Sequence, residues 1–168
     1  MWFSYPNDNY ESIFVLSSFL LVISEFFRRG EKVIPNAKDI ELFSRHMSDN
    51  DYIRHYKEHD FLAQFDRKYW LPLMEIVEVW DNAAHHFVNP ELDKARKSLY
   101  LSAFNLGTTI SKYTVPNRDG YISVIVDRNK GCKISASIKM EAQEINSLAK
   151  PFVLEHEKFI KLGRKKLY

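Results

Sequence analysis

Trp80-Asp81-Asn82-Ala83-Ala84-His85-His86-Phe87-Val88-Asn89-Pro90-Glu91-Leu92 is the one stretch of the chain that resembles a constructed site. If a helix ran through it, Asp81 and His85 would share a face four residues apart. Such a face offers a His–carboxylate pair or two ligands of a metal ion, with a third ligand supplied by His59 or Asp60. The spacing matches neither a His-Glu-x-x-His pair nor a zinc ribbon. The same residues also read as a corner between two helices. Asn89 is a good N-cap, because its side-chain oxygen can accept from the free N–H groups of the next turn. Pro90 then occupies the first helical position, where a missing N–H costs nothing. Trp80 ends the preceding apolar stripe. The corner is the first reading of His59, Asp60, Trp80, Asp81, His85 and Asn89, and no metal is assigned to them.

Arg54-His55-Tyr56-Lys57-Glu58-His59 is the second candidate. A cation there could steady a phosphate while an imidazole moves a proton. Its Arg-x4-His spacing resembles the catalytic motif of HEPN-type ribonucleases, helical proteins whose paired Arg and His act on RNA across a dimer. That resemblance would make Arg54 and His59 the catalytic pair; otherwise they belong to an exposed polar helix face. His156 falls on an apolar seam, where a histidine is more often a hydrogen-bonded core residue than a ligand. The chain has no glycine-rich phosphate loop, Gly-x-Ser-x-Gly elbow or Cys–His pair. No cofactor and no nucleophile are therefore assigned.

Composition bounds the rest. A chain of 168 residues with 45% apolar and 27% charged residues reads as one ordinary globular domain, 1–168. The formal charge of +2 is too small to imply nucleic acid by itself. The basic tail Lys161–Lys166 complements a helix dipole, with a polyanion contact as the alternative. One cysteine, Cys132, excludes an internal disulfide and a Cys-based zinc site, which fits the cytoplasm. Ser12–Phe27 is apolar, but the run before Glu25 is short of the roughly 20 residues that span a bilayer. Asp8 and Glu11 stand where a secretory signal would be positive. A buried core helix is the first reading of this segment. The second is a membrane anchor with Arg28 and Arg29 on the cytoplasmic side.

The elements follow from periodicity. A first helix is expected over Tyr10–Arg29, ending at Gly30. A second carries Ala37, Ile40, Phe43 and Met47. A short third, capped by Ser48-Asp49, carries Tyr52, Ile53 and Tyr56 and ends near His59-Asp60. A fourth follows Asp66 with Trp70, Leu73, Val77 and Trp80, although Pro72 could move its start to Trp70 or Leu71. After Asn89-Pro90, Leu92, Leu99, Ala103, Leu106, Ile110 and Tyr113 form the longest stripe, which stops before Pro116. Tyr121–Val126 and Lys133–Lys139 predict a β-hairpin around Asp127–Gly131. Ile138, Ala142, Ile145, Ala149, Phe152, His156 and Phe159 form a heptad-like seam in a last helix, which Pro151 should kink or divide. The fold class is mainly α: an antiparallel helical bundle with a small β-hairpin insertion at about residues 121–139.

Several pieces together resemble a family of small bacterial helical proteins with no assigned activity. They are Glu58-His59-Asp60-Phe61, Trp80-Asp81, His85-x-Phe87-x-Asn89-Pro90-Glu91-Leu92, Tyr113-Thr114-x-Pro116 and Ile160-Lys161-Leu162-Gly163-Arg164-Lys165-Lys166-Leu167. The resemblance covers about residues 52–168, and the stretch from Tyr121 to Met140 departs from the pattern. It implies a helical, bacterial, non-enzymatic protein and adds no catalytic residue. The expected function is therefore an accessory protein that binds a protein partner or its own copy through apolar helix faces. By analogy alone, such proteins belong to anti-phage defence or mobile-element loci. The rivals are a HEPN-like ribonuclease using Arg54 and His59, and an accessory protein anchored in a membrane through Ser12–Phe27.

Overall fold

Side-chain caps set the starts of the two longest helices. The computed structural model describes residues 36–47, 51–117, 119–125, 131 and 133–168, all within the unit Pro35–Tyr168. The expected first helix, the Ser12–Phe27 segment, the Ser48-Asp49 cap and most of the Asp127–Gly131 turn lie outside them. The helices are α1 (Ala37–Met47), α2 (Asp51–Glu58), α3 (Arg67–Val79), α4 (Pro90–Tyr113) and α5 (Ala136–Leu167), with one 3-10 turn at Ala83–His85. Asn89 accepts from the backbone N–H groups of Glu91 and Leu92 at 3.0 and 3.2 Å, and Pro90 opens α4. Ser135 does the same for α5 through the N–H of Ile138.

The helices α4 and α5 pack antiparallel. Lys166 donates to Glu91 at one end of the pair (2.7 Å), and the Tyr113 hydroxyl donates to Glu144 at the other (2.8 Å). Between these ends Leu92, Leu99, Ala103, Leu106 and Ile110 face Ala142, Ile145, Ala149, Phe152 and Phe159, all buried. These are the two stripes expected from periodicity, and each fully buried large side chain contributes about 2 kcal/mol. The helix α3 lies on α4 and α2 lies on α5. The ring of Phe43, from α1, sits directly against Gly163 of α5, where a Cβ would overlap it.

Both internal prolines are accommodated without dividing a helix. Asp66 caps α3 through the N–H of Lys68 (2.8 Å), so α3 starts at Arg67 and keeps Pro72 inside it. The carbonyl of Tyr69, in the turn before Pro72, accepts from the Tyr56 hydroxyl. Pro151 likewise lies within the undivided 32-residue α5. It removes the bond to the carbonyl of Ser147, but both residues are exposed, so water can take that carbonyl.

The small β insertion is a three-stranded antiparallel sheet: β1 (Phe65–Asp66), β2 (Val115–Pro116) and β3 (Tyr121–Ser123), in the order β1-β3-β2. Ile122 pairs with Phe65 on one side and with Pro116 on the other. The β2–β3 turn is held by Asn117 Oδ1, which accepts from the N–H groups of Asp119 and Tyr121. Gly120 supplies the positive φ of 79° that this turn requires. Tyr121–Ser123 is thus a strand as expected, but its partners precede it. Lys133–Ser135 is irregular and residues 136–139 begin α5. The alternation in Lys133–Lys139 is too short to distinguish a strand from a Ser-capped helix start, and the Ser135 cap decides it.

Candidate functional site

The Trp80–Leu92 segment folds as a corner. The helix α3 ends at Val79, so Asp81 and His85 never form the helical pair that a metal reading needs. Asn82 caps the 3-10 turn through the N–H of Ala84 (3.0 Å). Asp93 accepts from the N–H of Phe87 and from Arg96 Nε (2.8 Å), while Arg96 Nη1 donates to the carbonyl of Trp80. Arg96 is only 3% exposed, while its partner Asp93 stays half-buried at the edge of the corner. The corner is closed from α1 by Asp39, 1% exposed, whose two carboxylate oxygens accept from the N–H groups of Val88 (2.7 Å) and Asn89 (2.8 Å). Asp39→Ala should cost about 3 kcal/mol, since two charge-assisted bonds are lost. Urea denaturation of the variant beside the wild type measures it.

His59 and Asp60 belong to a second structure, the turn after α2. Asp60 Oδ1 accepts from the N–H of Leu62 (3.0 Å) and from Asn146 Nδ2 (2.8 Å). Asn146 Oδ1 in turn accepts from the N–H of Phe61 (3.1 Å), which clasps the turn to α5. The hydrogen bond from Asn146, then that from Leu62, hold the Asp60 carboxyl below the usual range. Phe61 is buried against Tyr56 and Phe65, with ring centroids 5.7 and 5.1 Å away. Asp60 and His59 therefore do not meet Asp81 and His85. His85 lines a different, smaller cavity of about 90 Å³ with Arg45, His46, Glu75, Trp80 and Phe87. Among the described residues no group of three His, Cys, Asp or Glu side chains is placed to hold a metal ion.

Arg54 and His59 do share a cavity. It measures about 550 Å³, and its walls include His55, Glu58, Lys68 and Tyr69. His55 is stacked between Tyr69 (4.0 Å) and His59 (4.4 Å). Burial, then His59, lowers the pKa of His55 to about 4. His59 is lowered by burial too, and its Nε2 lies 3.3 Å from the carbonyl of Ala63. Both shifts favour the neutral imidazole, the form in which a ring nitrogen can accept a proton. The Lys68 ammonium lies over the Tyr69 ring and 3.6 Å from Asp66.

On the other side of Arg54 a groove of about 630 Å³ runs between α2 and α5. Ile53, Ile160 and His156 form its floor. Arg54, Lys57, Lys161 and Arg164 stand on its walls with Glu58 and Glu157. Lys57 is paired to Glu157 at 3.0 Å. Among the described residues Arg54, Lys161 and Arg164 have neither a hydrogen bond nor an ion-pair partner. The expected tail–dipole role is thus divided: Lys166 joins Glu91, while Lys161 and Arg164 face this groove.

Beneath it the buried His156 meets a half-buried His46. His46 of α1 touches Trp80 (4.0 Å), Phe159 (5.7 Å) and His156 (5.7 Å). His156 is 3% exposed, and Nε2 of each ring has no hydrogen-bond partner among the described residues. His156 is core, as its seam position indicated, though without the hydrogen bond at Nε2 that a core histidine usually finds. Burial lowers His156 to about 4; burial, then His156, lowers His46 to about 3. Sequence reasoning missed Asp39, Asn146 and His46, whose partners lie 49 or more residues away or on another helix. Periodicity around Phe43 places Asp39 and His46 near one helix face, but nothing local marks their partners.

Comparison with protein-family models, with curated proteins and with solved structures finds no match.

Proposed function

We propose that this chain is a non-enzymatic helical binding protein of the cytoplasm, an accessory subunit that holds a protein partner or a second copy of itself. The groove between α2 and α5 carries the proposal. Its floor is the buried Ile53 and the half-buried Ile160, beneath three cations that have no partner among the described residues. A groove rimmed by exposed cations, with a half-buried aliphatic side chain between them, suits a protein partner, since arginines are enriched at such contacts. The polar clusters elsewhere support the same reading, because Asp39, Asp60, Asp93, Arg96 and Asn146 hold backbone groups or each other. No helix among the described residues is long and apolar enough to cross a membrane.

A second reading draws on one observation: Arg54 and His59 line the same cavity, as a HEPN-like ribonuclease would need. One experiment separates the two. The tagged full chain is isolated from its host, soluble and membrane fractions apart, and assayed for stoichiometric protein partners and for RNA cleavage. A binding protein yields a partner in the soluble fraction and no cleavage that His59→Ala removes. A partner-free isolate that cleaves RNA, and stops when His59 becomes alanine, belongs to the nuclease.

A further inference from the structure

We infer that the partner presents an acidic segment with interleaved apolar side chains to the groove between α2 and α5, an assignment that rests on the binding-protein reading above. Charge comes first. Four cations face two carboxylates in the groove, and one cation, Lys57, is already committed to Glu157. Arg54, Lys161 and Arg164 are left facing the single carboxylate of Glu58, a positive excess for whatever enters to neutralise. Both arginines are exposed and present the planar fork that pairs bidentately with carboxylates.

The floor then separates an acidic polypeptide from other polyanions. Ile160, half-buried, offers aliphatic surface that an apolar side chain would cover, while Ile53 beneath it is buried. The one aromatic group in the lining, His156, is almost wholly buried, so no ring is presented for a nucleobase to stack on. Glu58 on the wall, which is not the partner of Lys57, interrupts the positive field that the evenly spaced phosphates of a nucleic acid strand need. A peptide can place its own carboxylates beside Arg54, Lys161 and Arg164 and a lysine or amide beside Glu58. The volume of about 630 Å³ is enough for several side chains.

Photo-cross-linking of the full chain in its host tests the assignment. A benzophenone amino acid replaces Lys161 in the groove, or Lys97 on the exposed face of α4 as a control position. Lys161 should capture a partner peptide in which carboxylates outnumber cations and apolar residues alternate with them. The yield should fall about tenfold in Arg54→Glu/Arg164→Glu and persist in Arg54→Lys/Arg164→Lys, with circular dichroism showing both variants folded. Capture only at Lys97 would leave the binding-protein reading standing and overturn the acidic-segment assignment. Capture at neither position would overturn both. A basic segment, nucleic acid, or residues 1–35 of this same chain cross-linked at Lys161 would also overturn the assignment.

Discussion

Between pH 7.5 and pH 5 the protein should lose about 4 kcal/mol of folding stability through His46 and His156. The folded state holds both imidazoles neutral, with pKa values of about 3 and 4 against the ordinary 6.5. The unfolded chain therefore binds more protons than the folded chain throughout the interval below 6.5, and stability falls with pH. At pH 5, about 1.5 pH units below the unfolded value and above both folded ones, each histidine contributes about 2 kcal/mol of that loss. The groups around the pair do not offset it: His46 faces Trp80, Phe159 and His156, and His156 faces Tyr52, with Glu157 raising its pKa only slightly. The lowered carboxyl of Asp60 acts in a lower window, because its stabilisation is lost only as pH falls through the ordinary Asp value and below. His156→Phe should remove about half of the loss carried by this pair, while His55, also lowered to about 4, adds a loss that the variant leaves in place. Urea denaturation at the two pH values measures it. Equal stability at both, or an undiminished loss in the variant, would show that the two imidazoles are not buried neutral together.

Gly163→Ala should cost about 3 kcal/mol, although alanine is the better helix former by about 1 kcal/mol. The ring of Phe43, fully buried, occupies the space a methyl would need, with Cε2 and Cζ closest. Phe43 is packed in turn against Phe159 and Tyr168, at 5.6 and 6.3 Å between centroids, so the ring has little room to retreat. Gly107→Ala is the control. A Cβ there meets Met74 Sδ at an ordinary 3.7 Å and Val77 Cγ2 at 3.2 Å, where a shift of a few tenths of an ångström is enough, and its effect should stay within about 1 kcal/mol. In the double variant Phe43→Val/Gly163→Ala the two losses should fall short of their sum, because the first removes the ring that the second meets. Strict additivity would mean that Phe43 does not rest on Gly163.

The helices were legible because their signals are local. The stripes from Leu92 to Tyr113 and from Ile138 to Phe159 lie where periodicity places them, and Asn89-Pro90 starts α4 as its chemistry requires. Of the two outcomes expected at Pro151, division does not occur: the residue faces solvent, and the cost of one missing bond there is smaller than that of breaking the α4–α5 interface. The hairpin was half legible, since Tyr121–Ser123 takes one partner strand from Phe65–Asp66, more than 50 residues earlier, and nothing in a local window announces that pairing. Motif residues proved easier to find than to interpret. Asp60, Trp80, Asn89 and Gly163 all stand out in the sequence. Their roles depend on Asn146, His46, Asp39 and Phe43, each distant along the chain. The groove was illegible for the same reason, because Arg54 and Arg164 come together only when α2 lies on α5.

The most direct test of a binding function is native mass spectrometry of the full chain as isolated from its host. A binding protein predicts a complex heavier than the 19.9 kDa chain by one whole partner or one whole copy, in fixed stoichiometry. A bare 19.9 kDa chain that cleaves RNA would contradict it.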